Sequence, residues 1–466
     1  MMNQINKYAA YALLPILLLS QLVLAGQGVS PSVVGKPSAM KRVNEAPMGT
    51  LSLEDAVALA LKDNLGLAAV QARAHALAEV PSQVGTLSDP TISLNALNFP
   101  TDTFSRSQEA MTQTQIGIGF ALPFPGKLGL SEQVASLLAE AAEYDVSERR
   151  LLLVRNVHSS WWNLFYLDHA LSLIRRNRAL LREFVKIAES KYKTGQGMQS
   201  DVLLAQVELS KLLDTEISLQ ASRRSQTAVL NALLGRAADR EITLPEHNAE
   251  ELPATPDSKA LSRFAQEHRP LLGAYRKTLE VARSRTLLAD KAYYPDFKLG
   301  AAYGFRSGNN PVGGARADLA SIGLSMNLPI FSGSRQDKKV AQRQVEMQKG
   351  KYELQDAQIR VAAEIEQAIA EYQAARERAS LFKTGIIPQA SQTALAMLSA
   401  YQVSRVDFLN LVRAQITLYN YEAQYWKAIS AGWQAWARLE GAVGTSLEQL
   451  AKNRTVVTKN KEKIHE

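Results

Sequence analysis

The sequence predicts a mainly α-helical chain that also contributes to a membrane β-barrel, with long helical hairpins and four strands arranged as a duplicated half. Three observations carry that expectation. They are a long-period internal repeat, four segments of period-two alternation, and helical stretches too long for a globular core.

The repeat matches residues 52–235 to residues 257–444. Leu122-Pro123 recurs as Leu328-Pro329, and Asp89-Pro90 as Tyr294-Pro295. Tyr192 corresponds to Tyr401, Ala205-Gln206 to Ala414-Gln415, and Gly235 to Gly444, all three at one offset and without gaps. Units of this length are too long for a solenoid and read as a duplicated domain. The expected organisation is a first repeat over 51–235, a linker over 236–257 and a second repeat over 258–444. Pro245, Pro253 and Pro256, with several acidic residues, argue against a helix in the linker.

Each half opens with a helical segment and then offers two strands. Ile92, Leu94 and Ala96 alternate with Thr91, Ser93 and Asn95. Ile116, Ile118, Phe120 and Leu122 alternate with Gln115, Gly117, Gly119 and Ala121. In the second half Phe297, Leu299, Ala301, Tyr303 and Phe305 alternate with Lys298, Gly300, Ala302 and Gly304. Ile322, Leu324, Met326 and Leu328 alternate with Ser321, Gly323, Ser325 and Asn327. One face is thus large and apolar, the other polar or very small. A membrane barrel around an open lumen has this pattern, and so does a soluble sheet over a core. An export signal and the flanking helices favour the membrane. Residues 99–111 and 307–316, rich in Ser, Thr, Asn, Gly and Pro, are expected as external loops. Four strands cannot close around a lumen and would leave edges unpaired, whereas three copies supply twelve strands.

A helical pattern without proline or glycine runs over 130–193, about 100 Å at the α-helical rise. The second half repeats it over 335–402, with Gly350, Gly385 and Pro388 as interruptions. Pro388 is expected to divide or kink that helix. Val157, Trp161, Leu164 and Leu171 follow a 4-3 rhythm broken by Asp168. Ile365, Ile369, Tyr372 and Ala379 follow one broken by Arg376. Both a ring of helices around water and a plain coiled coil accommodate such breaks. Each long helix ends in a turn and a returning helix. In the first turn Gly195 and Gly197 permit reversal, and Ser200 or Asp201 can cap the returning helix. In the second, Asp407 is the candidate cap.

Composition narrows function by exclusion. With no cysteine there is no disulfide, thiolate metal site, cysteine nucleophile or N-terminal lipid-bearing cysteine. Lys7, an apolar run to Leu24 and Val23-Leu24-Ala25 read as an export signal over 1–25, followed by an extension over 26–50. A membrane anchor is the other reading, and the run is short for it. The net charge of +8 comes from scattered basic residues, which argues against a nucleic-acid partner. The basic, polar stretch over 445–466 is expected to be a disordered tail. No phosphate-cradling glycine loop, no His-Glu-x-x-His and no metal-ligand spacing among the six histidines is found, so no catalytic residue, metal site or cofactor is assigned. Trp161, Trp162, Trp426, Trp433 and Trp436 read as packing anchors.

Leu-Pro-Phe-Pro-Gly-Lys over 122–127, Tyr192-x-x-Gly195, Asp201-Val-Leu-Leu-Ala-Gln206 and Tyr401 with Ala414-Gln415 resemble the TolC-like outer-membrane efflux family across nearly all of 51–444. The Pro-Phe-Pro-Gly-Lys form is most similar to its heavy-metal RND efflux branch. The resemblance implies a homotrimer with a twelve-stranded barrel in outer-membrane lipid and a helical tunnel through the periplasm. A periplasmic adaptor (a membrane fusion protein) and an inner-membrane RND pump would dock at its far tip. It also implies a passive gated conduit for heavy-metal cations or drugs. The fold serves protein secretion equally, and a periplasmic coiled-coil adaptor or structural protein is the reading without a barrel. Carried over residue by residue, Asp201 and Ser200 match gate positions of the first half and Tyr401 a gate tyrosine of the second. The family's gate arginine aligns with Val406, leaving adjacent Arg405 as its substitute. Gly195, Gly197, Ser404 and Asp407 fall at the adaptor-docking tips. From the residues alone, Asp201 is equally a helix cap and Tyr401 equally a packed aromatic.

Overall fold

The computed structural model describes residues 50–246 and 251–447. The expected signal, nearly all of the extension and most of the tail lie outside the described residues. The first half runs α1 (Leu53–Asp63), α2 (Leu65–Ala78), α3 (Val80–Gly85), β1 (Thr91–Leu97), β2 (Gln113–Leu122), α4 (Lys127–Lys193) and α5 (Gln199–Leu233). The second runs α6 (Ser258–His268), α7 (Pro270–Asp290), β3 (Phe297–Arg306), β4 (Leu319–Met326), α8 (Gln336–Leu381), α9 (Ile387–Gln402) and α10 (Phe408–Val443). Among the described residues no helix is long and apolar enough to cross a membrane.

The strands form one antiparallel sheet in chain order, so β1 and β4 are its edges. The register lines Ile92, Ile118, Ala301 and Ile322 into one row, and Leu94, Ile116, Tyr303 and Ala320 into the next on the same face. The other face carries Ser93, Gly117, Ala302 and Ser321, then Thr91, Gly119, Gly300 and Gly323. The large apolar face has no protein against it: Ile92 is 81% exposed and Ile322 84%. A soluble sheet over a core would bury that face.

The motif over 122–127 is the hinge between sheet and helix. Lys127 Nζ donates to Asp296 Oδ1 at 2.7 Å and to Tyr294 O at 3.1 Å, and the Phe124 N–H donates to Asp296 Oδ1 at 2.8 Å. Phe124 stacks on Tyr294 at 4.5 Å. Burial works against the Asp296 charge, but the Lys127 ammonium and the Phe124 N–H outweigh it and hold that carboxyl below its usual pKa. The turn out of β2 is thus pinned to the turn into β3.

Below the sheet, α4 packs against α5 on one side and α10 on the other, α10 packs against α8, and α7 lies between α4 and α8. α4 has 67 residues, about 100 Å. Val157, Trp161, Leu164 and Leu171 are buried as their spacing predicts. Asp168 breaks that rhythm because it pairs with Arg223 of α5, whose guanidinium also donates to Ile242 O. The break is an interhelical ion pair. Trp161 is fully buried and donates to Leu51 O at 3.1 Å, and Trp162 stacks on Trp433 at 5.1 Å. The second long helix is divided where Pro388 predicts: Phe382–Ile386 forms a π turn, with Pro388 in the first turn of α9. Proline has no N–H to donate and crowds the carbonyl four residues back, and the wider turn relieves both.

The halves end alike. Asn64, between α1 and α2, donates to Leu233 O at 2.9 Å, while Arg269, between α6 and α7, donates to Ala442 O at 3.2 Å. Gly235, at φ +69°, brings its backbone so close to this corner that a Cβ there would lie 2.4 Å from Asp63 O.

Candidate functional site: the paired hairpin tips

The turns joining α4 to α5 and α9 to α10 share one backbone construction. In the first, Gly195 N–H donates to Tyr192 O at 3.1 Å and Gln196 N–H to Lys191 O at 2.8 Å. In the second, Ser404 N–H donates to Tyr401 O at 3.0 Å and Arg405 N–H to Ala400 O at 2.9 Å. Both are the reversed bonds that close a helix around a left-handed residue. Gly195 takes that conformation at φ +75° without steric cost, while Ser404 takes it at φ +58°.

The expectation that Ser200 or Asp201 caps α5 is not met. α5 begins at Gln199, so Met198 takes the cap position and no side chain caps it. Ser200 and Asp201 lie in the first turn, where the Asp201 charge faces the positive end of the helix dipole. Asp407 does occupy the cap position of α10, but its carboxylate makes no capping bond.

Duplication breaks down at the tyrosines. Tyr192 is exposed, whereas Tyr401 is 4% exposed. Tyr401 packs on Phe408 at 5.3 Å, within a cluster of Leu181, Phe184, Ala188, Ala205 and Leu411. That cluster draws on α4, α5, α9 and α10, so it bonds one hairpin to the other. The Tyr401 hydroxyl is buried without a hydrogen-bond partner among the described residues. Burial, and then the Asp201 carboxylate nearby, push its pKa above the ordinary phenol value. Asp201 thus lies within electrostatic reach of Tyr401 across the hairpins, with no hydrogen bond between them. Ser200 is exposed in the adjoining turn, and Gly195 and Gly197 lie in the first reversal. Arg405 is exposed, and its guanidinium reaches no partner among the described residues.

The cation at Tyr401 is instead Lys191, in the last turn of α4. Its ammonium donates to Tyr401 O at 2.7 Å and Ser404 Oγ at 3.0 Å, and lies 4.5 Å from the Tyr401 ring centroid. Motif and spacing do not single it out. The available signal is an asymmetry in the repeat, since the second half has Ala400 at the corresponding position. Among the described residues no three His, Asp or Glu side chains form a group that could hold a metal ion.

A sheet with one bare apolar face, joined to two long helical hairpins that meet at their tips, defines a channel-forming protein of the helical-tunnel and β-barrel class. The chain belongs to the outer membrane efflux protein family, whose model matches residues 56–236 and 261–445. It is an outer-membrane efflux channel that extends into the periplasm. One relative is the cobalt-zinc-cadmium resistance protein CzcC of Cupriavidus metallidurans, 23% identical over 406 residues, 85% of this chain and 90% of that one. Another is the alkaline protease secretion protein AprF of Pseudomonas aeruginosa, 25% identical over 317 residues, 66% of this chain and 65% of that one. Among solved structures the fold is shared with CusC, at a TM-score of 0.71 and 17% identity, over 91% of this chain and 99% of that chain. TolC-family proteins are trimeric channels that work with an adaptor and an inner-membrane pump. These relatives are channel and transport proteins.

Proposed function

We propose that three copies of this chain form the passive outer duct of a tripartite system exporting heavy-metal cations. The observation that carries the cargo is the likeness to CzcC over most of both chains. Trimerisation is supported by the open edges β1 and β4, and by apolar side chains left bare on the outer helices of the packing order. These are Leu203, Val207 and Ile217 on α5, and Val345, Tyr352 and Ile359 at heptad spacing on α8. In this reading Asp201, Ser200 and Tyr401 form the periplasmic gate, with Arg405 free on its rim. Gly195, Gly197, Ser404 and Asp407 present the tips to a periplasmic adaptor, which couples the duct to an inner-membrane RND pump. The chain does no chemistry on its cargo and uses no cofactor, and the pump supplies the energy.

Deleting the chain should raise sensitivity to cobalt, zinc or cadmium while leaving protease secretion intact. Lost secretion with unchanged metal tolerance would favour the second reading, an exit duct for protein, which the likeness to AprF supports. Asp201→Ala should raise conductance in planar bilayers. Links at such a gate are weak, of the order of 0–1 kcal/mol each, so removing the Asp201 charge from three protomers shifts the balance. Unchanged conductance would remove Asp201 from the gate.

A further inference from the structure

Lys191 joins the two tips of one protomer. Its ammonium has three donors and finds Tyr401 O at 2.7 Å, Ser404 Oγ at 3.0 Å and Gln402 O at 3.4 Å. Two of these acceptors are carbonyls at the C-terminal end of α9, which carry the negative end of its dipole, and Tyr401 O takes the ammonium in addition to the Ser404 N–H. The same ammonium lies 4.5 Å from the Tyr401 ring centroid, within cation–π range. Asp201, in the first turn of α5, lies within electrostatic reach of the same tyrosine. Gly197 closes against the stem of this lysine, since a Cβ there would stand 3.0 Å from Lys191 Cβ. With Ala400 at the corresponding place in the second half, no reciprocal bond returns.

We propose that Lys191 is the clasp of the gate, a positioning residue that holds the α9–α10 tip against the α4–α5 tip and must release it when the tunnel opens. The inference rests on the gate reading above and assigns the gate's cation to Lys191 in place of Arg405. Every acceptor it uses sits at the very end of α9 or in the turn beyond. An outward movement of that tip therefore breaks all of its contacts at once.

The test compares the full-length wild type, Lys191→Met, Lys191→Arg and Asp201→Ala in planar bilayers, with the heat resistance of each trimer measured alongside. Lys191→Met should raise mean conductance on the order of tenfold, because charged hydrogen bonds are lost in all three protomers, while heat resistance changes little. Lys191→Arg should stay close to wild type. If Lys191→Met stays closed while Asp201→Ala opens, the clasp is wrong and the gate reading stands. If neither variant opens, the gate reading itself fails. Lower heat resistance without opening would reduce Lys191 to a helix-end contact and overturn the proposal. If Lys191→Met does not assemble, Lys191→Gln, which keeps a donor and loses the charge, is read by the same outcomes.

Discussion

Ile322→Arg should prevent the trimer from assembling in the outer membrane, whereas Ser321→Arg, one residue away, should leave assembly intact. The two side chains lie on opposite faces of β4. Ile322 continues the row of Ile92, Ile118 and Ala301, and Ser321 the row of Ser93, Gly117 and Ala302. In the barrel reading the first row faces lipid and the second the lumen. An arginine on the lipid face near the bilayer midplane costs roughly 2–4 kcal/mol. Three symmetry-related copies bring that to roughly 6–12 kcal/mol, comparable with the whole stability of a typical folded protein. On the lumen face the same guanidinium stays hydrated, so its effect should fall on conductance. Trimer in the outer-membrane fraction, read on unheated gels, separates the outcomes. Assembly of both variants, or failure of Ser321→Arg alone, would refute the face assignment.

The sorting of large apolar and small or polar residues onto opposite faces was legible in the sequence because a period of two survives in the strands, and the buried helix stripes were legible for a similar reason. Pairings between elements distant in the chain were not. The motif over 122–127 shows its lysine, but not that Asp296 and Tyr294, far along the chain, receive it. Asp168 reads as a break in a heptad until Arg223 is beside it. Gly195 announces a left-handed turn, whereas Ser404 does the same with a residue that ordinarily avoids it. The cap of α5 is not where the residue types place it because the helix starts one residue ahead of its polar pair. Lys191 was invisible for the simplest reason: its acceptors are two main-chain carbonyls and a hydroxyl on the other hairpin. Main-chain acceptors leave no pattern in residue types.

Arg269→Ala should lower the heat resistance of the assembled protein more than any other polar substitution in the helical region. Arg269 is 3% exposed, and its guanidinium bonds Glu364 Oε2 at 2.6 Å, Ala442 O at 3.2 Å and Glu148 Oε1 at 3.3 Å. The second Glu148 oxygen accepts from the Leu271 N–H at 3.2 Å. One side chain thus ties α4 of the first half to α8 and the end of α10 in the second. The first half does the matching job with the neutral amide of Asn64, which leaves no charge behind if it is lost. Truncating Arg269 takes the hydrogen-bonded ion-pair partner from the buried Glu148 carboxylate and leaves it Arg155 at longer range, a loss of up to about 3–5 kcal/mol per protomer. Adding Glu148→Gln to Arg269→Ala separates two origins of that loss. Recovery in the double variant means the isolated charge was the cost. No recovery means that the bonds to Ala442 and Glu364, and with them the hold of α10 on α8, carried the stability. Unchanged heat resistance in the single variant would show that the halves hold together without this buried ion pair.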